Sequence, residues 1–308
     1  EIYTLSLHDA LPISEDILQD ADIAMYQAKE LRKARVEIYN KSMRDRALER
    51  MHMVTALKQG ALQKEFRLHY QPVISLQTGR VAGFEALLRW YTPNRGIVNP
   101  ADFIDMIDTA GLIYSTDHWA LQNACRQATE WQNKFPSNPP LFIAANLSAR
   151  NIKHPNLVDN INQVLQETKL EPDRLWLEIT EKVSAPDDEG AIEVLKKLRS
   201  TGVRISIDDF DTGYSALNYL ARFPVDVLKI DKSFVQMIGQ EDDSQKIIEM
   251  IKALANHLGL TVIAEGVETA EQIPFLQSIN CEYAQGFFYA KPLDAQAATE
   301  LLANRHSW

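Results

Sequence analysis

Short apolar runs alternate with helical stretches along most of this chain, and this alternation limits the possible folds more than any other feature. The apolar runs have the length of buried strands, and amphipathic segments separate them. Eight runs are predicted as strands, at residues 66–70, 83–88, 141–147, 175–179, 203–207, 227–230, 261–264 and 283–287. The intervening helical stretches include residues 117–133, 159–168, 190–200, 244–258 and 269–278. Such repeated βα units predict an α/β fold built on parallel strands.

The number of strands favours a closed barrel over an open sheet. Eight strands over about 240 residues fit a TIM-type (β/α)8 barrel, which typically has about 250 residues. A doubly wound open sheet is the alternative. Neither the dinucleotide-binding GxGxxG pattern nor the phosphate loop GxxxxGK[ST] occurs in the chain, which weakens this alternative without excluding it.

Composition and charge exclude several classes of protein. The chain is 45% hydrophobic with a net charge of −10, so it is globular and has no broad basic face for duplex nucleic acid. Cys125 and Cys281 are the only cysteines, so neither a disulfide framework nor a CxxC pair exists. No apolar stretch approaches the ~18 residues of a membrane span. We expect a cytoplasmic fragment without membrane contact, although its full-length parent could be membrane-anchored.

Charged and amide side chains recur at or near the ends of six predicted strands. They are Glu85, Asn146, Glu178, Asp208, Asp209, Lys229 and Glu265. A barrel gathers the carboxyl ends of its strands on one face, so these groups would converge in one mouth, where several carboxylates need a compensating cation. Carboxylates and an amide, without His or Cys, suit Mg²⁺ or Mn²⁺. Taken singly, each residue also has an ordinary role, because an Asp after a strand is usually a helix N-cap.

A string of short motifs in this order resembles the EAL family, which comprises cyclic di-GMP phosphodiesterases. The motifs are YQP at 70–72, EALLRW at 85–90, NLS at 146–148, EITE at 178–181, DDF at 208–210, KID at 229–231, EGVET at 265–269, QG at 285–286 and KP at 291–292. The resemblance covers about residues 44–302. It implies a modified (β/α)8 barrel with one antiparallel strand, and metal-dependent hydrolysis of cyclic di-GMP to linear pGpG.

The resemblance also implies a site with two divalent cations, Mg²⁺ or Mn²⁺. The first cation would have four ligands, namely Glu85, Asn146, Glu178 and Asp208. The second would share Asp208 and add Asp209. Glu265 and Lys229 would position the attacking water and handle its proton, so that they form the catalytic set together with Glu85.

Further residues are assigned to the substrate by the same resemblance. The substrate contacts are Gln71, Leu87, Arg89, Asp231, Gln285 and Pro292. Glu181 and Glu268 would hold the loop 209–215 and Lys229 in place from behind. In this loop Asp211 stands where the family usually has Gly, which adds a negative charge near the metals. The resemblance implies a homodimer with its contact beside this loop.

The chain before the barrel is predicted to consist of three pieces. Residues 1–13 resemble the in-frame translation of a sequencing-library adapter, and we expect them to be non-native. Residues 14–41 resemble the last helix and strand of a GGDEF domain, of the diguanylate cyclase type, without its nucleotide-binding loop. Residues 42–63 form a connecting helix, and residues 64–308 form the phosphodiesterase barrel. We therefore expect the natural chain to extend further upstream.

Two rivals to the active phosphodiesterase remain open. The first is a receptor that binds cyclic di-GMP or a partner protein without hydrolysis, for which Asp211 is the only argument. The second is another metal-dependent barrel enzyme that uses Lys229 as a base on a carboxylate substrate. Such an enzyme would not bind dinucleotides, and Arg89 and Gln285 would then have no explanation.

Overall fold

The structure is a computed structural model that describes residues 17–18, 20–25, 39–62, 64–93, 96–180, 189–210, 223–239 and 242–308. Residues 20–25 are helical, within the segment predicted as a short helical remnant. The predicted adapter-derived segment 1–13 lies outside the described residues, as does most of the segment 14–41.

The strands of the described residues form a single sheet. They are β1 Phe66–Ser75, β2 Val81–Thr92, β3 Gly96–Val98, β4 Phe142–Asn146, β5 Leu175–Thr180, β6 Arg204–Phe210, β7 Val227–Ile230, β8 Thr261–Ala264 and β9 Tyr283–Ala284. Their order in the sheet is β1-β9-β8-β7-β6-β5-β4-β2-β3, and β1 also pairs with β2. This last pairing closes the sheet into a barrel of eight strands, with β3 as an appendage on β2.

One strand of the barrel runs against the others. β1 is antiparallel to β2 over the register from Phe66↔Trp90 to Ile74↔Val81, and antiparallel to β9 at Ser75↔Tyr283. The other neighbours within the barrel, from β2–β4 round to β8–β9, are parallel. The predicted modified (β/α)8 barrel with one antiparallel strand is therefore confirmed.

Helices cover the outside of the barrel. They are α1 Lys41–Leu62, α2 Pro100–Thr109, α3 Ile113–Lys134, α4 Ala149–Ile152, α5 Leu157–Thr168, α6 Glu189–Ser200, α7 Lys232–Gln236, α8 Asp242–Leu258, α9 Gln272–Ser278 and α10 Ala295–Ala303. α5 shows why they pack there, since Leu157, Ile161, Val164 and Leu165 recur at helical spacing and are all buried. Among the described helices, none combines the length and the apolarity that crossing a bilayer requires.

The connecting helix α1 belongs to the packed body of the domain. Leu57 of α1 is fully buried against a cluster that includes Phe66, Trp90 and Phe103. The indole Nε1 of Trp90 donates a hydrogen bond to Oε2 of Glu65, at 2.9 Å, so the buried indole has a polar partner. The helix predicted at 42–63 therefore lies at Lys41–Leu62 and is fastened to β1 and β2.

Two strand boundaries differ from the prediction, and each has a physical reason. β2 extends the predicted run 83–88 to Val81–Thr92, because its antiparallel partner β1 supplies hydrogen bonds along this length. β9 is only Tyr283–Ala284, and the predicted run 283–287 is too long. At Gly286 the chain passes so close to the loop after β8 that a Cβ atom would lie 2.1 Å from the carbonyl oxygen of Val267.

Candidate active site

The mouth of the barrel collects the polar residues that the sequence placed at strand ends. Glu85, Asn146, Glu178, Asp208 and Lys229 lie on the successive strands β2, β4, β5, β6 and β7. Glu265 follows β8 directly, and Gln285 follows β9. Because these strands are parallel, their carboxyl ends share one face of the barrel. The structure thus assembles these groups at one end of the molecule.

The side chain of Lys229 is the centre of this assembly. Its Nζ lies 2.6 Å from Oε1 of Glu265, 2.9 Å from Oε1 of Glu178 and 2.9 Å from Oδ1 of Asp208. A fourth carboxylate, Glu85, approaches through Oε2 at 3.5 Å. Lys229 and Glu178 are each only 1% exposed. One ammonium group therefore faces four carboxyl groups in a setting from which water is largely removed, and the charges do not balance if all four are ionised.

Amides tie Glu85 to the rest of the mouth. Nε2 of Gln285 donates to Oε2 of Glu85 at 2.6 Å and lies 3.1 Å from Oε1 of Gln71. Nδ2 of Asn146 donates to Oε1 of Glu85 at 3.3 Å. Gln71 in turn donates through Nε2 to the carbonyl oxygen of Ala290, at 3.2 Å. Gln71, Glu85 and Gln285 are all buried, so these hydrogen bonds fix the floor of the mouth.

Burial and neighbouring charges shift the pKa values of the carboxyl groups in different directions. Burial, together with the charges of Glu85 and Asp208, raises the pKa of Glu178 well above its ordinary value. Burial alone would also raise the pKa of Glu85, but the charge of Lys229 and the hydrogen bond from Gln285 lower it below the ordinary value. Within this pair Glu178 therefore holds a proton more tightly than Glu85 does.

Glu265 and Lys229 have shifted pKa values as well. Burial raises the pKa of Glu265 to about 8, against the opposing effect of the Lys229 charge. Burial would lower the pKa of Lys229, but the surrounding carboxylates raise it well above its ordinary value. Lys229 therefore stays charged at neutral pH, whereas Glu265 exchanges its proton near the pH at which a general base works best.

The donor set of the mouth fits a hard divalent cation. Carboxylate oxygens from Glu85, Glu178 and Asp208 converge there, and Oε2 of Glu178 is buried without a hydrogen-bond donor among the described residues. Within this part of the chain, no three His, Cys, Asp or Glu side chains are already arranged around one metal position. Nζ of Lys229 lies among these oxygens, within 3.5 Å of four carboxyl groups.

A bulge in β6 marks the position of the two consecutive aspartates. Ile207 pairs with Leu228 and Phe210 pairs with Ile230, so β6 has one residue more than β7 between the same two rungs. Such a bulge changes the direction of the side chains beside it and is common next to active sites. The backbone of Asp209 lies in this bulge, while its side chain lies outside the described part of the structure.

Gly266 fixes the chain immediately after Glu265. Its φ is +72°, a conformation that side chains with a Cβ rarely adopt. A Cβ at this position would lie 2.4 Å from Cβ of Lys232, at the start of α7. The close approach lets β8 end beside β7 and points Glu265 back at Lys229. The requirement for Gly in the EGVET motif is therefore steric as well as conformational.

The predicted substrate contacts surround this floor. Leu87 and Arg89 lie on β2, two and four residues beyond Glu85, and the carbonyl oxygen of Pro292 lies 3.2 Å from Nδ1 of His69, the register partner of Leu87. Asp231 caps α7, since its Oδ1 accepts from the backbone N–H of Ser233 at 2.8 Å. The capping contact is the ordinary role of an Asp after a strand, and a substrate contact by Asp231 stays a prediction.

Of the two glutamates predicted to support the loop 209–215 and Lys229, only Glu268 lies among the described residues. Glu268 is exposed, and its Oε1 accepts from Nε2 of Gln236 at 2.8 Å. Among the described side chains it has no contact with Lys229, which is instead held by the four carboxyl groups of the mouth. Glu181 and Asp211 lie outside the described residues.

A cavity of about 330 Å³ opens above the carboxylates and reveals residues that the motifs did not suggest. Phe287, Lys232 and Gln236 line it beside Leu87. Phe287 is 56% exposed, which is unusual for a large aromatic side chain and suits a flat apolar ligand. One indication of this role was available in the sequence, because Phe287 lies only two residues after Gln285. The apolar pattern instead led to its prediction as the end of a strand.

A larger cavity, of about 1270 Å³, lies away from this mouth. It is lined by α1, β3 and α2, with Met43, Met53, Ile97 and Met106 among its walls. This cavity contains none of the clustered carboxylates. The larger volume therefore does not make this cavity the better candidate. The clustered carboxyl groups and their shifted pKa values favour the smaller cavity as the candidate active site.

Comparison with known proteins shows which domain family this chain resembles. The profile of the EAL domain matches residues 54–292. The bifunctional diguanylate cyclase/cyclic di-GMP phosphodiesterase MucR of Pseudomonas aeruginosa is 38% identical over 94% of this chain and 42% of its own length. The cyclic di-GMP phosphodiesterase PdeR of Escherichia coli is 37% identical over 92% of this chain and 42% of its own length. The chain thus spans less than half the length of these curated relatives.

A solved structure agrees in fold as well. The PaMucR phosphodiesterase in complex with c-di-GMP superposes with a TM-score of 0.75 at 38% identity, over 80% of this chain and 99% of that one. The range matched by the EAL domain, residues 54–292, contains the positions from Glu85 to Glu265. The chain belongs to the EAL-domain family.

Proposed function

We propose that this chain hydrolyses cyclic di-GMP to linear pGpG with the help of two divalent cations, Mg²⁺ or Mn²⁺. The observation that carries the proposal is the buried carboxylate cluster around Lys229, at the mouth of an EAL-domain barrel. The names of MucR and PdeR, and the c-di-GMP bound to the MucR phosphodiesterase, support the choice of substrate.

Glu85, Asn146, Glu178 and Asp208 would hold one cation, and Asp208 with Asp209 the other. When bound, two such cations neutralise a phosphodiester, polarise it and make water a better nucleophile. The raised pKa of Glu178 supports this part of the proposal, because a carboxyl group that holds a proton in the empty site can release it to a cation.

The chain's own residues bind and orient the dinucleotide. The guanidinium of Arg89 offers a planar pair of donors to a phosphate, and it makes no ion pair with a carboxylate among the described residues. Gln71 and Gln285 present amides at the floor of the cavity. Leu87 and Phe287 provide apolar surface for a guanine base, and Pro292 lies beside them.

The hydrolytic step is a displacement at phosphorus. The oxygen of a water molecule forms the new bond to phosphorus while the bond from phosphorus to the 3′ oxygen breaks. Glu265 accepts a proton from the water, which its pKa of about 8 in the metal-free protein favours, and Lys229 holds Glu265 in position at 2.6 Å. The 3′ oxygen takes up a proton, and the phosphate stays on the 5′ side, which gives pGpG.

The proposal extends to the surroundings of the domain. Residues 14–41 are proposed as the end of a GGDEF domain, because an alignment with MucR over 94% of the chain must begin within about the first 20 residues.

We also propose that the chain forms a homodimer beside the loop 209–215 and that it acts in the cytoplasm. Light scattering after size exclusion would report the dimer, and a monomer at every concentration would contradict it.

The test is chromatography of cyclic di-GMP after incubation with this chain and Mg²⁺ or Mn²⁺. We expect pGpG, and we expect it to disappear with a chelator and in Glu85→Gln. The matched control is Glu193→Gln, an exposed glutamate on α6 whose loss leaves the mouth intact. Calorimetry of cyclic di-GMP binding by the same proteins separates loss of binding from loss of turnover.

Each outcome has a distinct meaning. Turnover that survives both the chelator and Glu85→Gln would exclude this site and its metals. Binding without turnover by the unaltered chain would favour the receptor, and Asp211→Gly would then be the next variant. The absence of both binding and turnover would contradict the proposal. A carboxylate substrate for Lys229 would then be tested instead.

A further inference from the structure

The reversed direction of β1 brings a second set of side chains to the mouth. Arg67 pairs in register with Arg89, and His69 pairs with Leu87, in the same ladder in which Gln71 pairs with Glu85. Residues two apart on a strand share one face of the sheet. Arg67 and His69 therefore lie on the face that carries Gln71 and the catalytic floor. They rise above it towards solvent, while the alternate residues of β1 pack under the helices.

His69 and Tyr91 are held together on this face. The phenol oxygen of Tyr91 lies 2.6 Å from Nε2 of His69, and Nδ1 of His69 lies 3.2 Å from the carbonyl oxygen of Pro292. The proton on Nδ1 satisfies this carbonyl, which leaves Nε2 to accept from the Tyr91 hydroxyl. Tyr91 is thus fixed in orientation by a chain of hydrogen bonds that ends at the KP motif.

Arg67 rests on the ring of Tyr91. Its guanidinium carbon lies 4.8 Å from the centre of that ring, within the range of a cation–π contact. Neither Arg67 nor its register partner Arg89 forms an ion pair with a carboxylate among the described residues. Two arginines side by side repel each other, and among the described carboxylates only the charge of Glu85, beyond ion-pair distance, acts against this at Arg89. The arrangement suits an external anion that both can reach.

The volume of the cavity limits how much of a cyclic dinucleotide can lie inside it. The cavity of about 330 Å³ is at the lower end of the range of ~300–1,000 Å³ for ligand pockets, and a cyclic dinucleotide exceeds most such ligands. Only part of the substrate can lie inside. The pair of arginines lies four residues beyond Glu85 along β2, a rise of roughly 13 Å from the carboxylates.

We propose that Arg67 binds the phosphate that is not cleaved, with Tyr91 and His69 as positioning residues that hold its guanidinium in place. The proposal rests on the proposed function and names a subsite for the second half of the same substrate. Arg89 and Arg67, which form one rung of the β1–β2 ladder, would then both contact the macrocycle at the rim of the mouth, with Arg67 on the phosphate that is not cleaved.

The experiment compares Arg67→Gln with Arg80→Gln. Arg80 is an exposed arginine of the same β1–β2 hairpin at the opposite end of the barrel, so it controls for loss of charge. We expect Arg67→Gln to raise KM for cyclic di-GMP by ~10-fold with kcat unchanged, because one charge-assisted contact is lost. Hydrolysis of bis(p-nitrophenyl) phosphate, which has a single phosphate, should be the same in both variants.

Tyr91 provides a second test of the same subsite. Tyr91→Phe keeps the ring under Arg67 but removes the hydroxyl that contacts His69, so its KM should lie between those of the unaltered chain and Arg67→Gln. Tyr91→Leu removes the ring as well and should approach the KM of Arg67→Gln. Equal KM values in Arg67→Gln and Arg80→Gln would overturn the subsite. Loss of bis(p-nitrophenyl) phosphate hydrolysis in Arg67→Gln would also overturn it, because the effect would then be structural. Failure of the unaltered chain to bind or cleave cyclic di-GMP would overturn the proposed function itself.

Discussion

The ammonium nitrogen of Lys229 lies 2.6 Å from Oε1 of Glu265, and the two residues come from the ends of neighbouring parallel strands. This contact joins the two groups proposed to handle the attacking water. It also places a positive charge among buried carboxyl groups, so the lysine proposed to serve the reaction also holds these groups together.

Removing the lysine charge should destabilise the metal-free protein. Lys229→Met leaves buried carboxylates without their counter-charge, and breaking such an arrangement costs roughly 3–5 kcal/mol. The loss should be larger at pH 8.5 than at pH 6, because protons neutralise part of the cluster at the lower pH. Urea unfolding in a chelator measures it. Lys197→Met, on the exposed side of α6, should change the unfolding free energy by less than ~0.5 kcal/mol.

The metal-free protein should lose stability as the pH rises through about 8. Glu265 has a folded pKa of about 8 against an ordinary value of 4.5, so the folded state binds its proton more tightly. Its contribution to the unfolding free energy is full below the unfolded pKa and disappears as pH rises through the folded one. Melting temperatures between pH 6 and 9 in a chelator measure this slope. Glu265→Gln should flatten it, and an unchanged slope in that variant would refute the assignment.

Metal binding should strengthen with pH over the same window. The cations replace protons that Glu178 and Glu265 hold in the empty site, so binding releases protons. Calorimetric titration with Mn²⁺ in two buffers of different ionisation heat counts those protons. We expect tighter binding at pH 8.5 than at pH 6.5. Binding that is independent of both pH and buffer would show that the cation sits elsewhere.

A methyl group at Gly266 should do more harm than one at Gly259. Both glycines have positive φ, +72° and +70°, but only at Gly266 would the new Cβ meet another side chain, 2.4 Å away on Lys232. Gly259→Ala should therefore cost only the backbone strain, ~1–3 kcal/mol. Gly266→Ala should cost more in thermal unfolding and should also lower kcat, since it moves Glu265. Equal losses in the two variants would mean that the loop after β8 yields easily.

Truncation of Leu57 should show whether α1 is part of the domain. This side chain is fully buried in the cluster with Phe66, Trp90 and Phe103, so Leu57→Ala should cost about 2–5 kcal/mol. The control is Leu48→Ala on the same helix, where the side chain is 44% exposed and the loss should be small. Chemical denaturation followed by circular dichroism measures both losses. Similar values for both variants would make α1 a loosely attached linker.

The strands could be predicted from sequence because buried parallel strands are short apolar runs with sharp ends. β3 escaped prediction because three residues, Gly96–Val98, carry no period, and its only support is the pairing with β2. The reversal of β1 came from the family resemblance, since an antiparallel strand has the same local pattern as a parallel one. Its direction is set by the hairpin that follows, Gly79 with φ +66° included.

The members of the site could be predicted, but their mutual contacts could not. A strand-end rule places Glu85, Glu178 and Lys229 at one face and leaves the distances between strands undetermined. That Lys229 contacts four carboxyl groups depends on how far each strand extends and on the bulge in β6. Arg67 was invisible for a related reason, because the rule looks at carboxyl ends and Arg67 lies near the amino end of β1.

The seam at which the barrel closes is short. β1 and β9 pair only at Ile74↔Ala284 and Ser75↔Tyr283, next to the hydrogen bond from Gln285 to Glu85. The ladder between β8 and β9 is equally short, at Ile263↔Tyr283 and Ala264↔Ala284. β9 is therefore held in the ring by two rungs on each side, and we expect a ligand that contacts both Gln71 and Gln285 to stabilise the closed barrel.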